Sequence, residues 1–372
     1  MVINETILIF RKLMPLYSVV YLLSVIKIKV VKMLTRNCYR IKKAGSIDNL
    51  KLISENLPDP TDDEVTVEVK AIGLNFADVF CIQGLYKAAP KENLIPGLEF
   101  SGVVIDKGKN VIEFKVGDKV IGVTKFGAYT THINLNQKYL IKLPIEWTFE
   151  EGASFVVQAL TAYYAIKELG NVQNNQIVLI HSVAGGVGLY ANRIAKKFNC
   201  VTIGTVGNKS KIMKIKNEDV DYILVRDNNF LTELMKILGD RKIDLLLESL
   251  TGKYFHPTFN LLSPQGRAII YGASNFATHT SFPNYFQLVF RYLRRPKVDI
   301  LKLIEQNRSV MGFNLIWLYE KGDYLKKLLE EIIELNLGKP EISYVYEFNK
   351  LHIAIKQFQS GQTVGKVVVR VD

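Results

Sequence analysis

The apolar run Gln176-Ile177-Val178-Leu179-Ile180-His181 leads into Ser182-Val183-Ala184-Gly185-Gly186-Val187-Gly188, a helical stretch to Phe198 and a second apolar run, Val201-Thr202-Ile203-Gly204-Thr205. Strand, glycine turn, helix, strand is the order in which a nucleotide pyrophosphate is held. Glycines let the backbone close on the phosphates, while the helix start offers unpaired N–H groups and the positive end of its dipole. Ser182, Ala184, Gly185, Gly186, Val187 and Gly188 are therefore the expected phosphate cradle. An NAD site usually places an acidic residue about 20 residues beyond such a turn, to bind the ribose 2′-hydroxyl. Here the second strand runs out into Val206-Gly207-Asn208-Lys209-Ser210-Lys211, with two lysines and no acid. An ammonium gains a charge-assisted contact with a 2′-phosphate, which favours NADPH over NADH. The competing reading of Lys209 and Lys211 is a solvated helix start.

Outward from this unit, the flanking segments have different rhythms. From Asn49 to Ile72 the chain alternates as paired strands do, with Leu50-Lys51-Leu52-Ile53 and Val65-Thr66-Val67-Glu68-Val69 around a Pro58/Pro60 turn. Short strands at 102–105, 118–122 and 129–133 follow, punctuated by glycines. From about Ala159 helices and strands alternate: a helix near 210–217, strand 222–225, helix 231–238, strand 243–247, a helix around 254–262 and strand 267–271. Repeated βα units imply a parallel sheet with helices on both faces. The chain ends on another strand, Gly365-Lys366-Val367-Val368-Val369-Arg370-Val371. The expected fold class is α/β: a β-rich domain over 33–158, a doubly wound Rossmann parallel-sheet domain over 159–310, and a return to the first domain over 311–372.

The 372 residues, 48% hydrophobic and 23% charged, suffice for two domains with proper cores. A net charge of +12 invites a nucleic-acid reading, but residues 1–43 hold nine Lys or Arg against Glu5 alone, leaving +4 for the remainder. Without zinc-finger spacing, an RNP-like strand or a long arginine run, no nucleic-acid partner is expected. Cys38, Cys81 and Cys200 are few and far apart, which suits a reducing compartment and supplies neither a disulfide framework nor a Cys-based zinc site. Residues 1–32 stand apart as an apolar and basic extension. Leu13 to Ile26 is broken by Pro15, flanked by Arg11, Lys12, Lys27 and Lys29, and shorter than the roughly 20 residues a spanning helix needs. A signal anchor, a transit peptide and an extension upstream of a start at Met33 all stay open. The expected location is cytoplasmic, with membrane-associated and mitochondrial alternatives.

Several separate stretches agree in order with one family. Gly73-Leu74-Asn75-Phe76-Ala77-Asp78, Gly84-Leu85-Tyr86, Pro96-Gly97-Leu98-Glu99-Phe100-Ser101-Gly102, Val116-Gly117-Asp118-Lys119-Val120, Leu160-Thr161-Ala162-Tyr163-Tyr164, the glycine turn and Val364-Gly365-Lys366-Val367-Val368 resemble the medium-chain dehydrogenase/reductase superfamily. Over roughly residues 38–371 the chain is similar to the zinc-independent quinone oxidoreductase branch, and Gln306-Asn307-Arg308-Ser309-Val310-Met311-Gly312-Phe313-Asn314 looks most like the vesicle amine transport protein homologues. The resemblance implies a GroES-like first domain, a homodimer, and hydride transfer from NADPH to a quinone or α,β-unsaturated carbonyl. Where zinc-dependent relatives carry metal ligands this chain has Asn75, Leu98 and Val157, which cannot make a three-ligand zinc site, so no metal is expected.

The same resemblance implies that Asn75 and Tyr86 face the nicotinamide. Asn75 would orient the substrate or the ribose with its amide, and Tyr86 would donate a hydrogen bond or a proton to the reduced oxygen, or else form cleft wall. Thr161 would line the nicotinamide pocket, and Lys366 would reach a ribose or phosphate unless it is a surface lysine. Ser182 departs from the first glycine of the branch's motif. Val225 or Arg226 stands where a tyrosine often lies near the 2′-phosphate, and Arg226 would restore a phosphate contact there. A second function class is a membrane- or lipid-handling protein that keeps a nucleotide-binding fold. Its support is the segment 282–304, where Tyr285, Phe286, Phe290 and Tyr292 alternate with Arg291, Arg294, Arg295 and Lys297, a pattern suited to peripheral membrane contact. The competing reading of the segment is a helical cleft lid or a dimer contact.

Overall fold

The apolar run ahead of the glycine turn becomes Ile177–His181, a strand buried along its whole length because helices cover both faces of its sheet. Six strands lie in the order Tyr222–Val225, Val201–Val206, Ile177–His181, Ile243–Glu248, Leu262–Ile270 and Ser309–Gly312, all parallel. Chain order reverses direction between Ile177–His181 and Ile243–Glu248, and a doubly wound sheet opens a ligand crevice at that switch point. The computed structural model describes residues 33–277 and 280–372, and Thr35–Asp372 forms one compact unit. The expectations for residues 1–32 lie outside the described residues.

The second layer is a seven-stranded sheet built around Glu64–Gly73, which pairs antiparallel with Glu99–Lys107, His132–Asn136 and the terminal strand Lys366–Arg370. Alternating Val65, Val67 and Val69 pack inward there with Phe100, Val104 and Val367. Lys366–Arg370 therefore belongs to the sheet formed by the chain's first half. Its lead-in, Gly365, also bridges to Gly185 of the glycine turn, donating from its N–H to Ala184 O at 2.9 Å. Gly365 sits at φ +67°, and a Cβ there would lie 2.1 Å from Glu341 O, so only glycine makes this close approach.

Several boundaries differ from the sequence expectations for local reasons. The strand expected at 129–133 runs over His132–Asn136, because the backbone of Tyr129 and Thr131 is already bonded to Pro96, Tyr39 and Asn37. The helix expected around 254–262 is only Phe255–Phe259, since Leu262 begins the next strand. The helix near 210–217 stops at Lys214, where Ile215 turns into the core. Leu34–Lys43 forms a strand that the sequence pattern did not announce, because polar Thr35, Asn37 and Lys42 interrupt its apolar positions.

Candidate functional site

A cavity of about 1100 Å³ lies beyond the carboxyl ends of the parallel strands. On one side it is lined by Ser182, Val206, Ser249, Tyr271 and Phe313, each at or just past the end of a different parallel strand, and on the other by Leu74, Asn75, Leu85, Tyr86 and Leu98.

The glycine turn enters the 12-residue helix Gly186–Lys197 through Gly185, whose cap carries no side-chain hydrogen bond. The first-turn N–H groups are thus left for an anion. A Cβ on Gly188 would lie 2.4 Å from Ser182 O and 2.6 Å from Val183 Cα, so glycine lets the helix pack directly on the strand end. Ser182 has φ +60°, the left-handed conformation that explains why the related motif begins with glycine.

Two cations stand at the end of Val201–Val206. Arg226 Nη1 donates to Thr205 Oγ1 at 2.7 Å, and its Nη2 would be 3.3 Å from a Cβ on Gly207. Lys211 Nζ donates to Gly361 O at 2.7 Å and Thr363 O at 3.0 Å, which leaves one of its three N–H groups. Burial first, then repulsion from Arg226 and Lys214, pulls the Lys211 ammonium below its ordinary range. Lys209 does not share this place: it is exposed and lies off the cleft, since neighbouring residues at a helix start point in different directions.

At the other end of the cleft Asn75 is committed to the protein. Its Nδ2 donates to Gly73 O at 3.2 Å and Glu99 Oε1 at 3.0 Å, and its Oδ1 accepts from Gln158 at 2.6 Å and Lys366 at 3.1 Å. All four hydrogen-bonding positions of the amide are used, so in this structure Asn75 has no free donor for a substrate carbonyl. Lys366 is only 2% exposed, and its ammonium meets Glu99 Oε1 at 2.6 Å and Leu74 O at 2.6 Å. It is neither a surface lysine nor directed at a phosphate. Glu99 and Gln158, which sequence reasoning missed, complete this buried network; Glu99 lay within a quoted stretch, whereas nothing local marked Gln158.

This donor set does not fit zinc. Leu98 and Val157 are aliphatic, Asn75 Oδ1 is capped by an ammonium and an amide, and Glu99 is held by Lys366 and by Val157 N at 3.0 Å. Among the described residues no three His, Cys, Asp or Glu side chains gather as a metal site. Beneath Asn75 the wholly buried Asp78 accepts from Asn75 N at 2.8 Å and Tyr129 Oη at 3.1 Å. Burial pushes its carboxyl up to about 7 despite those bonds and Lys366.

Tyr86 donates from Oη to Asn314 Oδ1 at 2.6 Å, a link between residues 228 apart in sequence that crosses from one wall to the other. Burial pushes the Tyr86 phenol up to about 12, and in this structure its hydroxyl proton is given to Asn314. Thr161 lines the cleft with its hydroxyl turned to Val157 O at 2.7 Å. His181 is wholly buried, between Thr205 Oγ1 at 2.9 Å and Thr258 Oγ1 at 3.4 Å, and burial lowers it to about 3, so it is a neutral part of the core. In the segment 282–304, Tyr285–Leu293 forms a helix that sends Tyr285, Leu288, Val289 and Tyr292 into the cleft wall. Phe286 on the same helix is 87% exposed.

Comparison with known proteins gives this geometry a family. The model of the alcohol dehydrogenase GroES-like domain matches residues 61–145, and that of the zinc-binding dehydrogenase matches residues 186–332. The synaptic vesicle membrane protein VAT-1 homolog of Danio rerio is 33% identical over 330 residues, covering 87% of this chain and 68% of the relative. The Homo sapiens homolog is 32% identical, covering 89% and 86% respectively. Among solved structures, the CurK enoyl reductase superposes with a TM-score of 0.78 at 27% identity over 91% of this chain and 99% of its own. The Escherichia coli quinone oxidoreductase complexed with NADPH shares the fold, with a TM-score of 0.78 at 24% identity over 91% of this chain and 100% of its own. This chain belongs to the medium-chain dehydrogenase/reductase superfamily of oxidoreductases, beside the synaptic vesicle membrane protein VAT-1 homologues.

Proposed function

We propose that this protein is an NADPH-dependent, zinc-independent reductase of quinones or α,β-unsaturated carbonyls. The observation that carries the reading is one continuous cleft with a cationic, glycine-lined end and an apolar end. At the first end the start of helix Gly186–Lys197 would hold the pyrophosphate, and the remaining Lys211 N–H with the Arg226 guanidinium would hold the 2′-phosphate. NADPH, when bound, supplies the hydride. At the second end Leu74, Phe80, Leu85, Leu98 and Ile316 exclude water and suit a flat conjugated substrate. With no metal-binding donor set among the described residues, activation of the substrate oxygen falls to hydrogen-bond donors, which is adequate where charge spreads through a conjugated system. The test is NADPH oxidation across a panel of quinones and enones.

A second reading, peripheral membrane contact, is favoured by one observation: helices Tyr285–Leu293 and Ile300–Gln306 bury none of their residues, and Phe286, Leu293 and Ile304 are exposed on a segment where Arg294 lies over the Phe290 ring and Arg295 over the Tyr292 ring. Among the described residues no helix is long and apolar enough to cross a membrane. This reading expects binding to anionic liposomes that Phe286→Ser with Leu293→Ser reduces about tenfold or more, since two large apolar groups are withheld from the headgroup region. Equal liposome retention by the double variant, in a sedimentation assay, contradicts it.

A further inference from the structure

Arg226, which lines the cleft, belongs to a closed ring of hydrogen bonds. Its Nη1 donates to Thr205 Oγ1 at 2.7 Å, and Thr205 is wholly buried in the strand Val201–Val206. Ser182 N also donates to that oxygen, at 3.4 Å. With both acceptor positions used, the Thr205 hydroxyl proton goes to its remaining neighbour, His181 Nδ1 at 2.9 Å. The neutral imidazole therefore carries its own proton on Nε2, which faces Thr258 Oγ1 at 3.4 Å. Thr258 spends its proton on Tyr254 O at 2.8 Å, so its oxygen is free to accept from the imidazole. Tyr254 Oη closes the ring, donating to Arg226 O at 2.6 Å. The direction of every bond follows from the guanidinium, which can only donate.

Resting on the reductase reading, we propose that Thr205, oriented by His181, is a positioning residue for cofactor choice: it holds the Arg226 guanidinium where the 2′-phosphate of NADPH arrives. The same residue steadies the glycine turn, since Thr205 O accepts from Val183 N at 3.0 Å. The guanidinium stands on the cleft side of the strand end. Its Nη2 lies 3.3 Å from where a Cβ on the cleft-lining Gly207 would be, and its charge is felt at Lys211. The side-chain partners of both cations are neutral oxygens, so an arriving phosphate is what relieves their mutual repulsion. A guanidinium already held in place loses little freedom when that phosphate binds. Thr205 thereby raises the affinity for NADPH without touching it, and NADH, which lacks the phosphate, gains nothing from the arrangement.

The test is Thr205→Val in the full chain, which keeps the branched shape and deletes the hydroxyl, with the dissociation constants of NADPH and NADH measured side by side. NADPH is expected to weaken about tenfold and NADH less than about twofold, whereas damage to the turn would weaken both, since both carry the pyrophosphate. Thr205→Ser restores the hydroxyl and should restore the preference. In an Arg226→Ala background Thr205→Val should lower the preference no further, because the hydroxyl acts only through the guanidinium. If the valine variant does not fold, Tyr254→Phe releases the other end of Arg226 and should lower the preference about threefold or more. Equal losses for the two cofactors, an unchanged preference in the variant that folds, or a further loss once Arg226 is gone overturns the assignment. If Arg226→Ala alone leaves NADPH affinity intact, the 2′-phosphate lies elsewhere and the assignment falls while the reductase reading stands. If the unaltered protein binds no NADPH, the reductase reading falls and this assignment falls with it.

Discussion

At the scale of single residues, the proposed preference for NADPH turns on which of two neighbouring lysines reaches the cleft. Lys209 and Lys211 are both cations near the end of the second strand, but only Lys211 lines the cleft. Lys211→Ala should weaken NADPH about tenfold or more relative to NADH, because only NADPH carries the 2′-phosphate and a charged hydrogen bond is worth roughly 1.5–3 kcal/mol. Lys209→Ala should leave both affinities unchanged. Titration of each variant with both cofactors checks this, and equal losses for NADPH and NADH in Lys211→Ala would instead mark its bonds to Gly361 and Thr363 as structural. The same scale shows where sequence reading ends. Asn75 was visible as a motif residue, but its saturation depends on Glu99, Gln158 and Lys366, which lie 24, 83 and 291 positions away. Lys366 looked like a surface or ribose-binding lysine because its partner Glu99 comes from a strand in the other half of the chain.

At the scale of the element, the strand, glycine turn and helix were legible because their determinants are local. Apolar runs, glycines and helix periodicity all fall within about thirty residues, the usual span of such a unit. The turn also carries a conformational cost that the sequence only hinted at. Ser182 sits at φ +60°, so Ser182→Gly should stabilise the protein by up to about 1 kcal/mol. Gly188→Ala should do the reverse, costing about 1–3 kcal/mol, because the new methyl meets Ser182 O and Val183 Cα, both backbone atoms that cannot swing aside. Thermal melts of the two variants should therefore move in opposite directions. If both are neutral, the turn is looser than its geometry implies. Leu34–Lys43 and Ser309–Gly312 were harder to read as strands: the first mixes polar and apolar positions, and the second is four residues long at the sheet edge.

At the scale of the whole molecule, the last strand closes the sheet made by the first half of the chain while its lead-in touches the glycine turn through Gly365 and Ala184. The cleft thus draws its walls from segments far apart in sequence, with Tyr86 meeting Asn314 across it. The α/β class, the βα rhythm and a return of the chain to its first domain were expected, but the pairing of the last strand with Glu64–Gly73 was not, since strand pairing over nearly three hundred residues leaves no local signature. The central claim is that the cleft transfers hydride from NADPH without a metal. Its most direct test is NADPH oxidation by the purified full chain with a panel of quinones and enones, before and after treatment with a strong chelator, with zinc measured on the same sample. Turnover with NADPH is expected to survive the chelator, with less than stoichiometric zinc in the sample. One tightly held zinc per chain, with turnover abolished by its removal, would contradict that claim, as would NADPH binding with no reduction of any substrate in the panel.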